Sequence, residues 1–265
     1  MSPIPDVVTL LLRSFSPNAM SKLCTMLVPS FLTLSSVRKI DANLPPNILK
    51  EIDQRLGEIS KLLAAVAVET QGINRYRYYR SLACLEELVE ALTFVHYLRT
   101  QQLISFDELL PSVLALARQG TALEDTVMND AGSGEDTVTP ANERTEDLPA
   151  VSITEDDYLF GVFDLTGEMM RFATTTSALT GSMAARGEDG SSRTIVKDMQ
   201  DLGSFFEMLP RRYDKSWTQK MDTLQQSVRK VERLGYDRTV RGTERPAGWV
   251  PDLTAGDGQR PGTPE

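Results

Sequence analysis

Two stretches of this 265-residue chain, LEELVEALTF at residues 85–94 and FGVFDLTGEMMRF at residues 160–172, are apolar enough to form a protein interior. Each nevertheless carries a pair of carboxylates at helical spacing: Glu87 and Glu90 in the first, Asp164 and Glu168 in the second. An ionised carboxylate withdrawn from water costs several kcal/mol unless a counter-charge meets it. Whatever fold this chain adopts must bring positive charge to those positions.

The rest of the patterning is helical. Pro45 and Pro46 suit a helix start and precede an apolar series through Ile48, Ile52, Leu56, Ile59, Leu62 and Leu63, with Gly72 as its end. A second helix is expected from about Asn74 to Leu103, apolar on both sides and therefore interior. Ser105 with Glu108 and Thr154 with Asp157 have the form of capping boxes. They open helices expected to run to about Arg118 and Leu179. Further helices are expected over roughly Thr194–Met208 and Asp214–Val240, the last with Trp217, Met221, Leu224, Val228, Val231 and Leu234 in step. No segment alternates as a strand would. The expectation is an all-α, single-domain antiparallel bundle of about six or seven helices over residues 37–250. Residues 119–150 are too polar to supply a core and read as a disordered insertion, and residues 251–265 as a flexible tail.

Composition narrows the function. With 28 Lys and Arg against 37 Asp and Glu, a formal net charge of −9, the chain lacks the broad basic field that holds nucleic acid non-specifically. A nucleic-acid role therefore calls for a partner to share the grip. The two cysteines, Cys24 and Cys84, fit no zinc or disulfide framework, which points to a reducing compartment. The apolar run near the N-terminus is broken by Arg13 and Pro17 and is too short to cross a bilayer.

Three residues separate Glu87 from Glu90 and four separate Asp164 from Glu168, so each pair projects from one side of its helix. Two such helices side by side would offer four hard oxygen donors, a set suited to magnesium or manganese and to phosphodiester hydrolysis. Gly161 and Gly167 flank Asp164, and close approach of a neighbouring helix would account for them. The plainer alternative is that the carboxylates are paired or solvated, Glu168 for instance meeting Arg171 one turn on. A di-iron bundle fits less well, because the only histidine, His96, follows Thr93 rather than a glutamate at the required spacing. The run Asn74–Arg80 could place Arg75, Arg77 and Arg80 on phosphates and stack Tyr78 on a base, with Arg171 as a further candidate. The same run also fits an ordinary helix surface.

LPPNILKEIDQRL, EELVEALTFVHYLRTQQLISFDEL, DYLFGVFDLTGEMMRF and KVERLGYDRTVRGTERP, in that order, resemble blocks of the translin family over about residues 37–250. The likeness is to the branch that partners translin, of a fungal kind, since Asp164 stands where translin itself lacks an aspartate. The resemblance implies an all-α catalytic subunit of a hollow hetero-octamer with translin. Its implied activity is a magnesium-dependent endoribonuclease acting on single-stranded RNA, such as passenger fragments in RNA silencing or pre-tRNA fragments. It also implies that Glu87, Glu90, Asp164 and Glu168 form the metal and catalytic site. Cytoplasm and nucleus are the expected compartments, with no membrane attachment. Residues 1–36 depart from the family, whose first helix is charged, and read as a divergent or mistranslated segment. The alternative function is a non-catalytic helical scaffold that stabilises translin and binds nucleic acid or proteins.

Overall fold

The structure is a computed structural model that describes residues 34, 37–67, 70–129, 149–185 and 193–241, of which 121–129 and 241 by backbone alone. The expected divergent start, most of the insertion and the tail lie outside the described residues. Those residues are all-α. An isolated antiparallel bridge joins Ala185 and Thr194. No described helix is long and apolar enough to cross a membrane.

In chain order the elements are α1 (Pro46–Ala67), α2 (Asn74–Arg77), α3 (Tyr79–Leu82), α4 (Cys84–Thr100), α5 (Phe106–Asn129), α6 (Glu155–Thr180), α7 (Ile195–Met208) and α8 (Lys215–Arg241). They fall into two compact units, and the division lies inside α6. One unit ends at Val162; the other runs on from Phe163 and includes the short stretch Arg38–Ala42.

In the first unit, α1 buries Ile59, Leu63, Val66 and Ala67 at the 3–4 residue spacing of one helix face. These join Leu85, Leu88 and Val89 of α4, Leu109, Val113 and Ala117 of α5, and Val151 and Ile153 in one apolar cluster. The α4 helix buries residues right round its circumference, as expected of an interior helix. Both capping boxes form. Ser105 Oγ accepts the Glu108 N–H at 3.3 Å while Glu108 Oε2 accepts the Ser105 N–H at 3.1 Å. Thr154 and Asp157 reciprocate in the same way at 3.1 and 2.7 Å.

Two expected boundaries are corrected. The helix expected over residues 74–103 is broken into α2, α3 and α4, because at Tyr78 the backbone leaves the helical region (φ −100°, ψ 12°) and the ring packs against the apolar cluster. Its C-terminal end comes at Thr100, where Gln101 turns left-handed (φ 57°) and its N–H bonds the Tyr97 carbonyl. The helix expected to stop near Arg118 continues to Asn129. Gly120, within this continuation, is a contact point. A Cβ there would lie 2.0 Å from the Ser60 carbonyl oxygen, and Ser60 Oγ donates to the Leu116 carbonyl at 2.7 Å.

In the second unit, Pro210 follows α7 and cannot continue it, and Leu209 is already extended. Asp214 then caps α8, its Oδ1 accepting the Trp217 N–H at 2.7 Å. Phe163 of α6 lies between Phe206 of α7 (ring centroids 4.0 Å apart, stacked) and Trp217 of α8 (5.1 Å, edge-on). Further along, Arg238 of α8 donates to both the hydroxyl and the carbonyl of Ser177 on α6, at 2.8 and 2.6 Å.

Gly120→Ala is expected to destabilise the protein by about 1–3 kcal/mol, since the added methyl meets backbone rather than a movable side chain. Urea unfolding measures it, and an unchanged midpoint would contradict the close contact. Tyr158 supplies a second test. Its hydroxyl donates to the Ile104 carbonyl at 2.7 Å, and burial, assisted by the Glu108 charge, pushes its pKa from 10.0 up to about 12. A phenol more basic when folded contributes fully below pH 10.0 and loses that contribution as pH rises through about 12. Tyr158→Phe should remove that part of the alkaline decline in unfolding midpoint.

Candidate active site

The four carboxylates occupy the two helices that the sequence places them on. Glu87 and Glu90 share one side of α4 in the first unit. Glu90 is 7% exposed and Glu87 is half-buried. Gly161, at the start of α6, meets α4 at this level: a Cβ would come within 2.6 Å of Val89 and 2.8 Å of the Glu86 carbonyl oxygen. The close approach expected at Gly161 is present. Gly167 differs, because nothing among the described residues lies within 4 Å of its Cβ position. It leaves an open notch one turn beyond Asp164 and directly before Glu168.

Asp164 and Glu168 lie in the second unit, and each is met by a cation. Lys220 Nζ of α8 donates to Asp164 Oδ2 at 2.5 Å, with 19% of the lysine side chain and 33% of the aspartate exposed. Arg171 donates to Glu168 Oε1 at 2.5 Å; the glutamate is 10% exposed and the arginine 65%. The Glu168–Arg171 pair is the plainer alternative the spacing allowed. Lys220 escaped sequence reading, although a signal exists. It lies three residues after Trp217 and four before Leu224, on the face that α8 buries, and a lysine on a buried face demands an anion.

Among the described residues, no three or more His, Cys, Asp or Glu side chains gather as a metal-holding group. The expected ligands divide two and two between the units. As donors they remain carboxylate oxygens only, the set that hard divalent cations take.

The residues expected to touch RNA fare unequally. Arg75 is engaged inside its own unit, donating to the Ser152 carbonyl at 2.7 Å and to Asp157 at 2.9 Å. Tyr78 is half-buried against the core, with the Arg77 guanidinium 5.7 Å from its ring centroid. Arg80 is exposed, as are Tyr76 (83%) and Tyr79 (75%). Tyr76 and Tyr79 line a groove of about 610 Å³ whose other walls include Glu86, Glu155, Asp156 and Asp157. That acidic lining does not suit phosphate. Arg171 keeps most of its side chain in solvent while holding Glu168. His96 is half-buried rather than fully in the core.

A double-mutant cycle with Asp164→Asn and Lys220→Met is expected to give a coupling of about 1–2 kcal/mol in urea unfolding, the range of a hydrogen-bonded charged pair out of full solvent. A coupling near zero would mean that the pair contributes nothing.

The family described as the Translin family matches residues 21–242. Translin-associated protein X of Rattus norvegicus is 30% identical over 209 residues, covering 78% of this chain and 66% of that protein. Translin-associated protein X of Mus musculus is 29% identical over 210 residues, with the same coverage. The Translin-associated protein X homolog of Schizosaccharomyces pombe is 25% identical over 191 residues, covering 71% of this chain and 64% of its own length. The match thus spans slightly less than two thirds of these relatives. With the family match running through both carboxylate helices, the chain belongs to the translin family.

Proposed function

We propose that this chain is the catalytic subunit of a hetero-oligomer with translin, a magnesium-dependent endoribonuclease that cuts single-stranded RNA. The observation that carries the reading is the pair of acidic turns, Glu87 with Glu90 and Asp164 with Glu168, set in buried helical segments within the span matched by the family. Glu87, Glu90 and Asp164 would hold magnesium, or manganese in its place, with Glu168 as a further ligand or as the group that orients the attacking water. The metal, when bound, activates water and neutralises charge on the phosphodiester.

The chain's own residues supply the rest. Lys220 fixes the direction of Asp164 by donating to one of its oxygens, which leaves the other for coordination. Arg171 spends one N–H on Glu168, and its largely exposed guanidinium retains donors for a phosphate oxygen. The notch at Gly167 gives a sugar–phosphate backbone room to approach between them. The names of the relatives couple them to translin, which supports translin as the partner. It also answers the electrostatic need, since a chain of net charge −9 requires help to hold RNA.

One observation favours a second reading, a non-catalytic scaffold subunit. Lys220 and Arg171 already neutralise Asp164 and Glu168, as a purely structural ion pair would. Coexpression with translin and a single-stranded RNA cleavage assay with and without magnesium separates the two. Under the nuclease reading, Asp164→Asn and Glu90→Gln each lower the rate more than about 100-fold while the oligomer still assembles. Parental cleavage in either variant, or no magnesium-dependent cleavage in the intact complex, would leave the scaffold reading in possession.

A further inference from the structure

Beyond the residues assigned above, the second unit carries a basic aromatic surface at the α7–α8 turn. Over eleven residues the turn and the end of α7 present Phe205 (49% exposed), Met208 (77%) and Tyr213 (97%), together with exposed Arg211, Arg212 and Lys215. A tyrosine side chain almost wholly in water buries none of its apolar area in its own fold. Against these three cations the stretch holds two carboxylates, Glu207, which accepts from Gln225 at 3.3 Å, and Asp214, which lies 3.6 Å from Arg212 and also caps α8, so the local balance is positive in a chain that is acidic overall.

This turn is joined physically to the candidate site. The Arg212 guanidinium lies over the Trp217 ring at 5.7 Å. Trp217 in turn packs edge-on against Phe163, the residue immediately before Asp164. One turn further along α8, Lys220 holds the Asp164 carboxylate. The exposed cations and the candidate catalytic aspartate are therefore anchored by the same first turns of α8. By contrast, the other basic aromatic run, Asn74–Arg80, has Arg75 neutralised by Asp157 and its tyrosines beside an acidic groove.

Resting on the nuclease reading, we infer that the Arg211–Arg212–Tyr213 turn, with Lys215, is a binding surface for single-stranded RNA that leads the strand toward Asp164. Arginine and lysine meet the phosphates, and the open Tyr213 ring offers a stacking face that only an unpaired base can use. Met208 and Phe205 extend the apolar floor beside it.

The test uses the complex with translin and a short fluorescent single-stranded RNA, with binding read by anisotropy over a range of salt. The variant Arg211→Ala, Arg212→Ala, Tyr213→Ala is expected to weaken binding roughly tenfold or more, the scale of losing one stacked base and two phosphate contacts. The slope of log affinity against log salt should fall by about 0.7 per arginine lost. In cleavage assays KM should rise while kcat at saturating RNA stays within about a factor of two. Tyr213→Phe, which keeps the stacking face, should bind like the parent, and photo-crosslinking with 4-thiouridine RNA should label Tyr213.

Unchanged affinity and salt slope in an assembled triple variant would overturn the inference. So would loss of translin association with RNA affinity retained, which would make the turn a protein contact. If the parental complex binds and crosslinks RNA through this turn yet cuts nothing with magnesium, the binding surface stands and the nuclease reading alone fails.

Discussion

The interaction on which the second unit most depends is the bond from Lys220 to Asp164. A carboxylate placed among Phe163, Leu165 and Met169 is tolerable only if something positive reaches it, and α8 supplies the cation from its own buried face. The bond fixes more than a charge. Because Lys220 follows Trp217 by three residues, seating the lysine on Asp164 also seats the indole against Phe163, so the register of α8 on α6 is specified by one polar and one aromatic contact together. Arg238 repeats the device at the far end of the same helices, with two donors on Ser177.

Such pairing bears directly on the proposed activity. A lysine bonded to one oxygen of a carboxylate lowers the net negative charge a cation would meet, yet it holds the side chain in one rotamer and leaves the second oxygen available. Arg171 does the same for Glu168 from a position largely in water. A site built this way has its cations already adjacent to its anions, so a phosphate entering it finds donors as well as ligands. Those cations are also what a structural role would require. Pairing of this kind is compatible with both the proposed nuclease and the scaffold reading, and magnesium-dependent turnover is the property that would tell them apart.

What could be read from the residues alone follows a physical division. Helix class, both capping boxes and the partnership of Glu168 with Arg171 are local, set by neighbours within four positions, and all were legible. The break at Tyr78 was not, because it answers to a ring seeking the core rather than to any breaker in Asn74–Arg80. The role of Gly120 was hidden for the same reason. Its meaning lies in Ser60, sixty positions away, and a glycine inserted into a helix for close packing looks in sequence like a helix end. Lys220 was visible as a cation on an apolar face, but which of the buried carboxylates it would meet depended on how α8 lies on α6. The same holds for Arg75, basic and flanked by tyrosines, whose partners Ser152 and Asp157 come from a segment some eighty residues on.

Electrostatics join these pieces. Overall negative charge repels RNA, so any specific hold on it must come from local positive surface where acidic neighbours are already engaged. At Asn74–Arg80 the neighbours are Glu86, Glu155, Asp156 and Asp157, and the field beside the tyrosines is set by carboxylates. At the α7–α8 turn the neighbouring acids are Glu207, which accepts from Gln225, and Asp214, which accepts the Trp217 N–H and lies beside Arg212, so both are already engaged while Arg211 and Lys215 are exposed. A basic approach of this kind on an acidic chain would hold RNA locally and leave the remainder of the grip to the proposed partner.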